Sequence, residues 1–198
     1  MRYYIAYGSN LNTEQMNYRC PTAEKLQTSE LDGYRLEFRG SENNAYATIL
    51  PDEACKVPVL LWEIQPEDEQ KLDRYEGWPR FYRKENLELE IGGQKQEAMV
   101  YIMNDGFERD MPSERYLATV MEGYEEAGFD PAPIEMALEM SEWAIAEREG
   151  LSEIETEPDF ETEPDFETES DFEMEPDFET EPEFEVEQES PAEPEMKM

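Results

Sequence analysis

Residues 4–12, YIAYGSNLN, run from an apolar aromatic stretch directly into Gly8-Ser9-Asn10. The first half, residues 2–7, is aromatic and β-branched enough to predict a first strand. The second half breaks it with residues that favour turns. A strand that turns sharply through glycine exposes consecutive backbone N–H groups, and such groups hold carboxylates or developing oxyanions. From local sequence, the segment reads either as an ordinary strand end or as a cradle for a ligand. The stretch LDRYEGWPRFYRK at 72–84 bears on the same choice.

Outward from this start, Asn12 is placed to cap a short helix over 13–19, with Gln15 completing a capping-box pattern and Pro21 closing it. In LDGYRLEFRG an Asp-Gly turn leads into the alternation Tyr34, Leu36, Phe38, which predicts a strand. AYATIL and VPVLLWEI predict two further strands, separated by a polar stretch with Pro51 and Asp52. Pro66 opens a helix whose first turn is acidic and which ends near Gly77. RKENLELEI and QEAMVYIM form a strand pair joined by Gly92-Gly93. A helix follows with Ser113 as N-cap, Gly128 as its stop, and a stripe of Tyr116, Leu117, Val120, Met121 and Tyr124. The last helix covers about 132–148, with Ile134, Leu138 and Ile145 inward. The sum is an α+β fold, a small, mostly antiparallel, barrel-like sheet with flanking helices, over residues 1–148.

From 149 the chain changes character. ETEPDF at 155–160 recurs at 161–166, and ETESDF, EMEPDF and ETEPEF follow in register, placing Phe160, Phe166, Phe172, Phe178 and Phe184 six apart. Residues 151–198 hold 21 of the 52 acidic residues and one of the 16 basic ones. Dense like charge and repeated proline predict a disordered acidic tail over 149–198. It reads either as a multivalent Phe-acid ligand for a basic protein partner or as a repeat expansion without a role. Calcium buffering fits poorly, since EPDF lacks the glycine and clustered oxygens of a dedicated loop.

Composition removes whole function classes. A net charge of −36 repels phosphate backbones and anionic membranes, so the chain reads as no nucleic-acid binder. No apolar run is long enough to span a bilayer, and the start lacks the layout of a signal peptide. Two cysteines, Cys20 and Cys55, suit reduced thiols, so a cytoplasmic location is expected. The sequence contains no histidine. That excludes a Ser-His-Asp triad, a Cys-His pair and any His-ligated metal site. Proton transfers must fall to a carboxylate, a tyrosine, a lysine or the substrate itself.

Among the carboxylates, Glu76 has an informative setting. It ends an amphipathic helix beside Tyr75 and precedes the aromatic run GWPRFY. Apolar walls raise a carboxyl pKa and make a better base near neutrality, whereas a solvated helix-end acid would show no such effect. Ser9 has no histidine to activate it as a nucleophile.

YGSNL at the end of the first strand, LDRYEGWPRFYRK about 65 residues later, and PSERYLATVMEGYEEAG with Gly123 and Gly128 together resemble the gamma-glutamylcyclotransferase superfamily over roughly residues 1–140. The resemblance implies an enzyme that turns the α-amine of a gamma-glutamyl amide onto its own γ-carbonyl, releasing 5-oxoproline and an amine, without cofactor or metal. It implies Glu76 as the catalytic acid/base. Tyr7, Gly8, Ser9, Asn10 and Leu11 would hold the glutamyl end and the oxyanion, with Tyr82 and Tyr116 beside the substrate. Tyr116 fits the helix stripe equally well. The rival expectation is a non-catalytic module that binds a gamma-glutamyl ligand and recruits partners through its tail.

Overall fold

A computed structural model describes residues 1–154, with side chains to 150; the hexapeptide repeats and the expectations for the tail lie outside the described residues. The strands are β1 (Arg2–Ala6), β2 (Glu24–Ser41), β3 (Asn44–Ile64), β4 (Tyr82–Ile91), β5 (Gln94–Met103) and β6 (Glu108–Arg109). The helices are α1 (Thr13–Arg19), α2 (Pro66–Tyr75), α3 (Glu114–Ala127) and α4 (Ala132–Ile154). The strands form one sheet in the order β4-β5-β1-β3-β2-β6, in which only the β1–β5 pair is parallel. The sheet curls into a half-barrel. Near its two ends Gln27 on β2 reaches the Glu90 carbonyl on β4, with its Nε2 3.2 Å away.

Two expectations about strands are corrected. The Asp32-Gly33 pair is not a turn that precedes the strand, because β2 runs through it from Glu24 to Ser41 as one strand. AYATIL and VPVLLWEI are likewise one strand, β3. The reason is the long antiparallel ladder between them, from Glu24↔Glu63 to Ser41↔Asn44. The polar stretch remains visible inside it as an irregularity. Pairing jumps from Asp32↔Lys56 to Tyr34↔Pro51, so residues 52–55 bulge out opposite Gly33, whose φ of +79° suits glycine. Pro51 and Pro58 are tolerated because β1 pairs only with Leu60–Ile64, leaving the prolines outside the doubly paired part of β3.

The alternation on β2 divides its side chains as expected. Leu36 and Phe38 enter the core, while Arg35, Glu37 and Arg39 share the other face. Glu37 is fully buried there and pairs with Arg35, Arg39 and Arg109 at 2.7 Å each. Their guanidinium groups hold its carboxyl down to about 2 against the opposing effect of burial.

Helix boundaries follow their caps. Asn12 accepts the Gln15 amide to start α1, Ser113 accepts the Tyr116 amide to start α3, and Gly128 closes α3 in the left-handed region. The Gln15 side chain does not return the bond to Asn12; it bonds Thr119 and Arg19 instead. Met121, expected inward, is 40 % exposed, and Gly123 occupies the inward position beside Tyr124. Helix α4 continues to Ile154, past the expected end at 148.

Gly123 lets α3 lie directly on the loop after β1. A Cβ there would sit 2.6 Å from Leu11 Cβ and 2.8 Å from the Asn12 amide nitrogen. Hydrogen bonds from Asn12 to Glu122 and from the Thr13 amide to Glu126, each 3.0 Å, fasten the same contact. The loop that carries Gly8-Ser9-Asn10 is therefore clamped between β1 and α3.

Candidate active site

Gly8 ends β1's extension, and Ser9–Leu11 form a 3₁₀ turn. The first N–H groups of such a turn have no preceding carbonyl within it to bond. Gly8 itself is wedged: an added Cβ would lie 3.2 Å from both Ala47 Cβ and the Tyr116 hydroxyl. Across from the loop, Glu76 caps the C-terminus of α2, its amide bonding Leu72 O at 2.8 Å. Gly77, at φ +61°, then turns the chain away.

These two segments face one small cleft, partly open to solvent. It is lined by Tyr4, Tyr7, Gly8, Ser9, Asn10, Ala47, Glu76, Tyr82, Tyr101 and Tyr116, contributed by β1 and the loop after it, β3, the end of α2, β4, β5 and α3. Of the residues singled out from sequence, Tyr7, Gly8, Ser9, Asn10, Glu76, Tyr82 and Tyr116 meet here. Leu11 does not line the cleft; it is fully buried beneath Gly123 and supports the loop from behind. Trp78 of the GWPRFY run is 45 % exposed and also stands outside. The walls around Glu76 are instead tyrosines drawn from β1, β4, β5 and α3.

The carboxyl of Glu76 is pushed up to about 7. Burial is the dominant cause, opposed by the Arg19 guanidinium and by the hydrogen bond from Asn10. Asn10 Nδ2 donates to Glu76 Oε1 and to the Tyr4 hydroxyl, each at 2.8 Å. Ser9 Oγ lies 2.9 Å from the Tyr75 hydroxyl, so the loop and the end of α2 are joined by two adjacent bonds.

The phenols are held in turn. Tyr7 donates to Tyr101 O at 2.6 Å, Tyr82 to Ala47 O at 2.7 Å, and Tyr101 to Asp73 at 2.6 Å. Tyr116 instead accepts from the Ala47 amide at 3.1 Å, which leaves its own proton to donate. Burial pushes the Tyr4, Tyr7, Tyr82, Tyr101 and Tyr116 hydroxyls upward, so near neutrality they are uncharged donors and acceptors. A buried carboxyl poised near neutrality, within a rigid polar ring, can take a proton from one atom and return it to another.

Sequence reasoning did not find Tyr4, Ala47, Tyr101 or Arg19. Tyr4 and Tyr101 read as core residues of strands, and Ala47 acts through its backbone. Arg19 had no local signal beyond standing at the end of a short helix.

The fold corresponds to that of a solved structure described as a gamma-glutamyl cyclotransferase, with a TM-score of 0.60 and 25 % identity over 70 % of this chain and 85 % of that one. A solved structure of an uncharacterized Homo sapiens protein matches with a TM-score of 0.61 and 26 % identity, covering 69 % of this chain and 85 % of the other. Fold and cleft thus define a cyclotransferase-type enzyme. The model of the family described as Gamma-glutamyl cyclotransferase, AIG2-like, matches residues 4–122, and the chain belongs to that family. Among characterized relatives, the gamma-glutamylcyclotransferase of Homo sapiens is 27 % identical over 135 residues, 63 % of this chain and 71 % of that protein. Its Bos taurus namesake is 30 % identical over 81 residues, 37 % of this chain and 43 % of the relative. Among the described residues, no helix is long and apolar enough to cross a membrane.

Proposed function

We propose that the chain cleaves a gamma-glutamyl amide by intramolecular attack of the substrate's α-amine on its γ-carbonyl. The observation that carries this reading is the placement of Glu76, at about 7, across a tyrosine-walled cleft from the Gly8–Asn10 loop. The α-amine attacks as the free base, and Glu76 takes one proton from its nitrogen as that nitrogen bonds to the γ-carbonyl carbon. The carbonyl oxygen becomes an oxyanion, met by backbone N–H groups of the loop. The C–N bond to the leaving amine then breaks, and the protonated Glu76 returns the proton to the departing nitrogen. The products are 5-oxoproline and a free amine, with no water consumed.

The geometry suits this chemistry. Ring closure is intramolecular, so fixing a folded substrate conformer is worth up to ~7–11 kcal/mol. A rigid ring of tyrosines supplies that fixation, and the Tyr116 proton is available to the substrate carboxylate. An α-ammonium has a pKa of about 8, so near neutrality a usable fraction of the substrate is already the free amine that attacks.

Mass-spectrometric detection of 5-oxoproline from a panel of gamma-glutamyl amines, using wild type and Glu76→Gln, tests the proposal. Release by wild type with a loss of about 10²–10⁴-fold in the variant is expected. Wild-type binding of a gamma-glutamyl ligand with no 5-oxoproline would overturn it in favour of a non-catalytic binding module.

A further inference from the structure

Arg19 lies outside the cleft lining, on the last turn of α1, yet it is tied to Glu76 through one side chain. Its Nη1 donates to Asn10 Oδ1 at 2.9 Å, and its guanidinium lies 3.7 Å from the centre of the Tyr75 ring. Its Nη2 donates to Gln15 Oε1, and Gln15 Nε2 donates to Thr119 on α3 at 3.2 Å. The guanidinium is thus held on three sides by α1, α2 and, through Gln15, α3.

The consequence follows from the donor inventory. Arginine can only donate, so the atom of Asn10 that faces it must be the oxygen. That settles which way the Asn10 amide points: its NH₂ faces Glu76 and Tyr4. An NH₂ group can only donate, so Glu76 Oε1, 2.8 Å away, is occupied as an acceptor. A proton on the Oε1 lone pair that Asn10 occupies would collide with the Asn10 hydrogen. We infer that Arg19 is a positioning residue which, through Asn10, fixes Glu76 Oε1 as an acceptor and assigns Oε2 as the oxygen that exchanges protons with the substrate. The inference rests on the catalytic role proposed for Glu76.

The titratable groups that face Glu76 come from every element around it. Tyr4 and Tyr7 belong to β1 and its extension, Tyr75 to α2, Tyr82 to β4, Tyr101 to β5 and Tyr116 to α3. Behind Tyr101 stand Asp73 and Lys84, which pair with each other. The phenols are neutral in the working range, whereas the Arg19 guanidinium favours the Glu76 carboxylate.

The test uses the full chain with Arg19→Gln, which keeps a donor but loses the charge, and Arg19→Lys, which keeps the charge. Two readings are taken: ¹³C NMR titration of the Glu76 side-chain carboxyl without substrate, and kcat/KM against pH for 5-oxoproline release. In Arg19→Gln the Glu76 titration and the acidic limb of kcat/KM should both move upward. Activity at pH 6 should fall about tenfold while activity well above the limb changes little. In Arg19→Lys both should stay close to wild type. If Arg19→Gln does not fold, Gln15→Ala loosens the same guanidinium and should move the titration in the same direction. An unmoved Glu76 titration, or an equal loss of activity at every pH, overturns the inference. The titration reads Glu76 without turnover, so a failure of the proposed activity remains distinct from a failure of Arg19's role.

Discussion

Replacing Glu76 by glutamine should cost the enzyme its activity and yet stabilise the fold at alkaline pH. The ordinary glutamic carboxyl titrates at 4.5, and in the folded protein burial lifts Glu76 to about 7. Below 4.5 both folded and unfolded chains hold the proton, and the residue costs nothing. Between 4.5 and about 7 the unfolded chain releases its proton first, so stability falls as pH rises. Above about 7 the full penalty of an ionised carboxylate in the cleft is present. Each unit corresponds to about 1.4 kcal/mol, which puts the ceiling near 3 kcal/mol. Glu76 is only partly buried as a residue, so solvent screening brings the expected figure to roughly 1.5–3 kcal/mol.

Glutamine has nearly the same shape and can still accept from Asn10 Nδ2 through its own oxygen, so the substitution removes the charge without removing the bond. Urea unfolding of wild type and Glu76→Gln at pH 5 and pH 8 measures the effect. A gain of roughly 1.5–3 kcal/mol at pH 8, or about 3–10 °C in Tm, should shrink to below about 1 kcal/mol at pH 5. The chain's net charge of −36 makes any lost acid mildly favourable, so the exposed Glu53→Gln serves as the subtraction. No gain at pH 8 after that subtraction, or the same gain at both pH values, would refute the account of Glu76 as a carboxyl held near neutrality by burial.

Gly123→Ala forces a methyl into the backbone of the 8–12 loop, and should destabilise by about 2–3 kcal/mol despite alanine's better helix propensity. Because the loop lines the cleft, kcat/KM should fall with it, as urea unfolding and a 5-oxoproline assay on the same preparation will show. Glu37→Gln leaves three arginines without their buried counter-charge and should cost about 3–5 kcal/mol at neutral pH. Because Glu37 titrates below its ordinary 4.5, at about 2, this contribution is full above 4.5 and fades as pH falls toward 2, so the variant's acid-unfolding curve should be flatter there.

Elements whose limits are set by adjacent residues were legible in the sequence. Asn12, Ser113 and Gly128 mark helix ends because capping is local chemistry, and Gly92-Gly93 marks the β4–β5 turn for the same reason. The β2–β3 ladder was not legible. A polar stretch with Pro51 looks like a strand break to any local rule, and only pairing with residues about twenty positions away shows that it bulges and continues. Met121 failed for a related reason: helical periodicity places it inward, but the close approach of the 8–12 loop rewards the smallest side chain, Gly123, at the contact. The tyrosine walls were half legible, since Tyr82 and Tyr116 fall in recognisable motifs while Tyr4 and Tyr101 look like any strand aromatic.

For the site itself, neither YGSNL nor Glu76 was informative alone, and the structure supplies a physical reason why they must be read together. Ser9 meets Tyr75 at 2.9 Å and Asn10 meets Glu76 at 2.8 Å, two neighbouring residues of one segment bonding two neighbouring residues of the other. A solvated helix-end acid would have no partner to hold it. The paired bonds hold the loop's backbone against a carboxyl raised to about 7, a spacing that the proposed intramolecular acyl transfer would use. Asn10 is the hinge of this arrangement, and its amide can serve Glu76 only while Arg19 keeps its oxygen turned the other way.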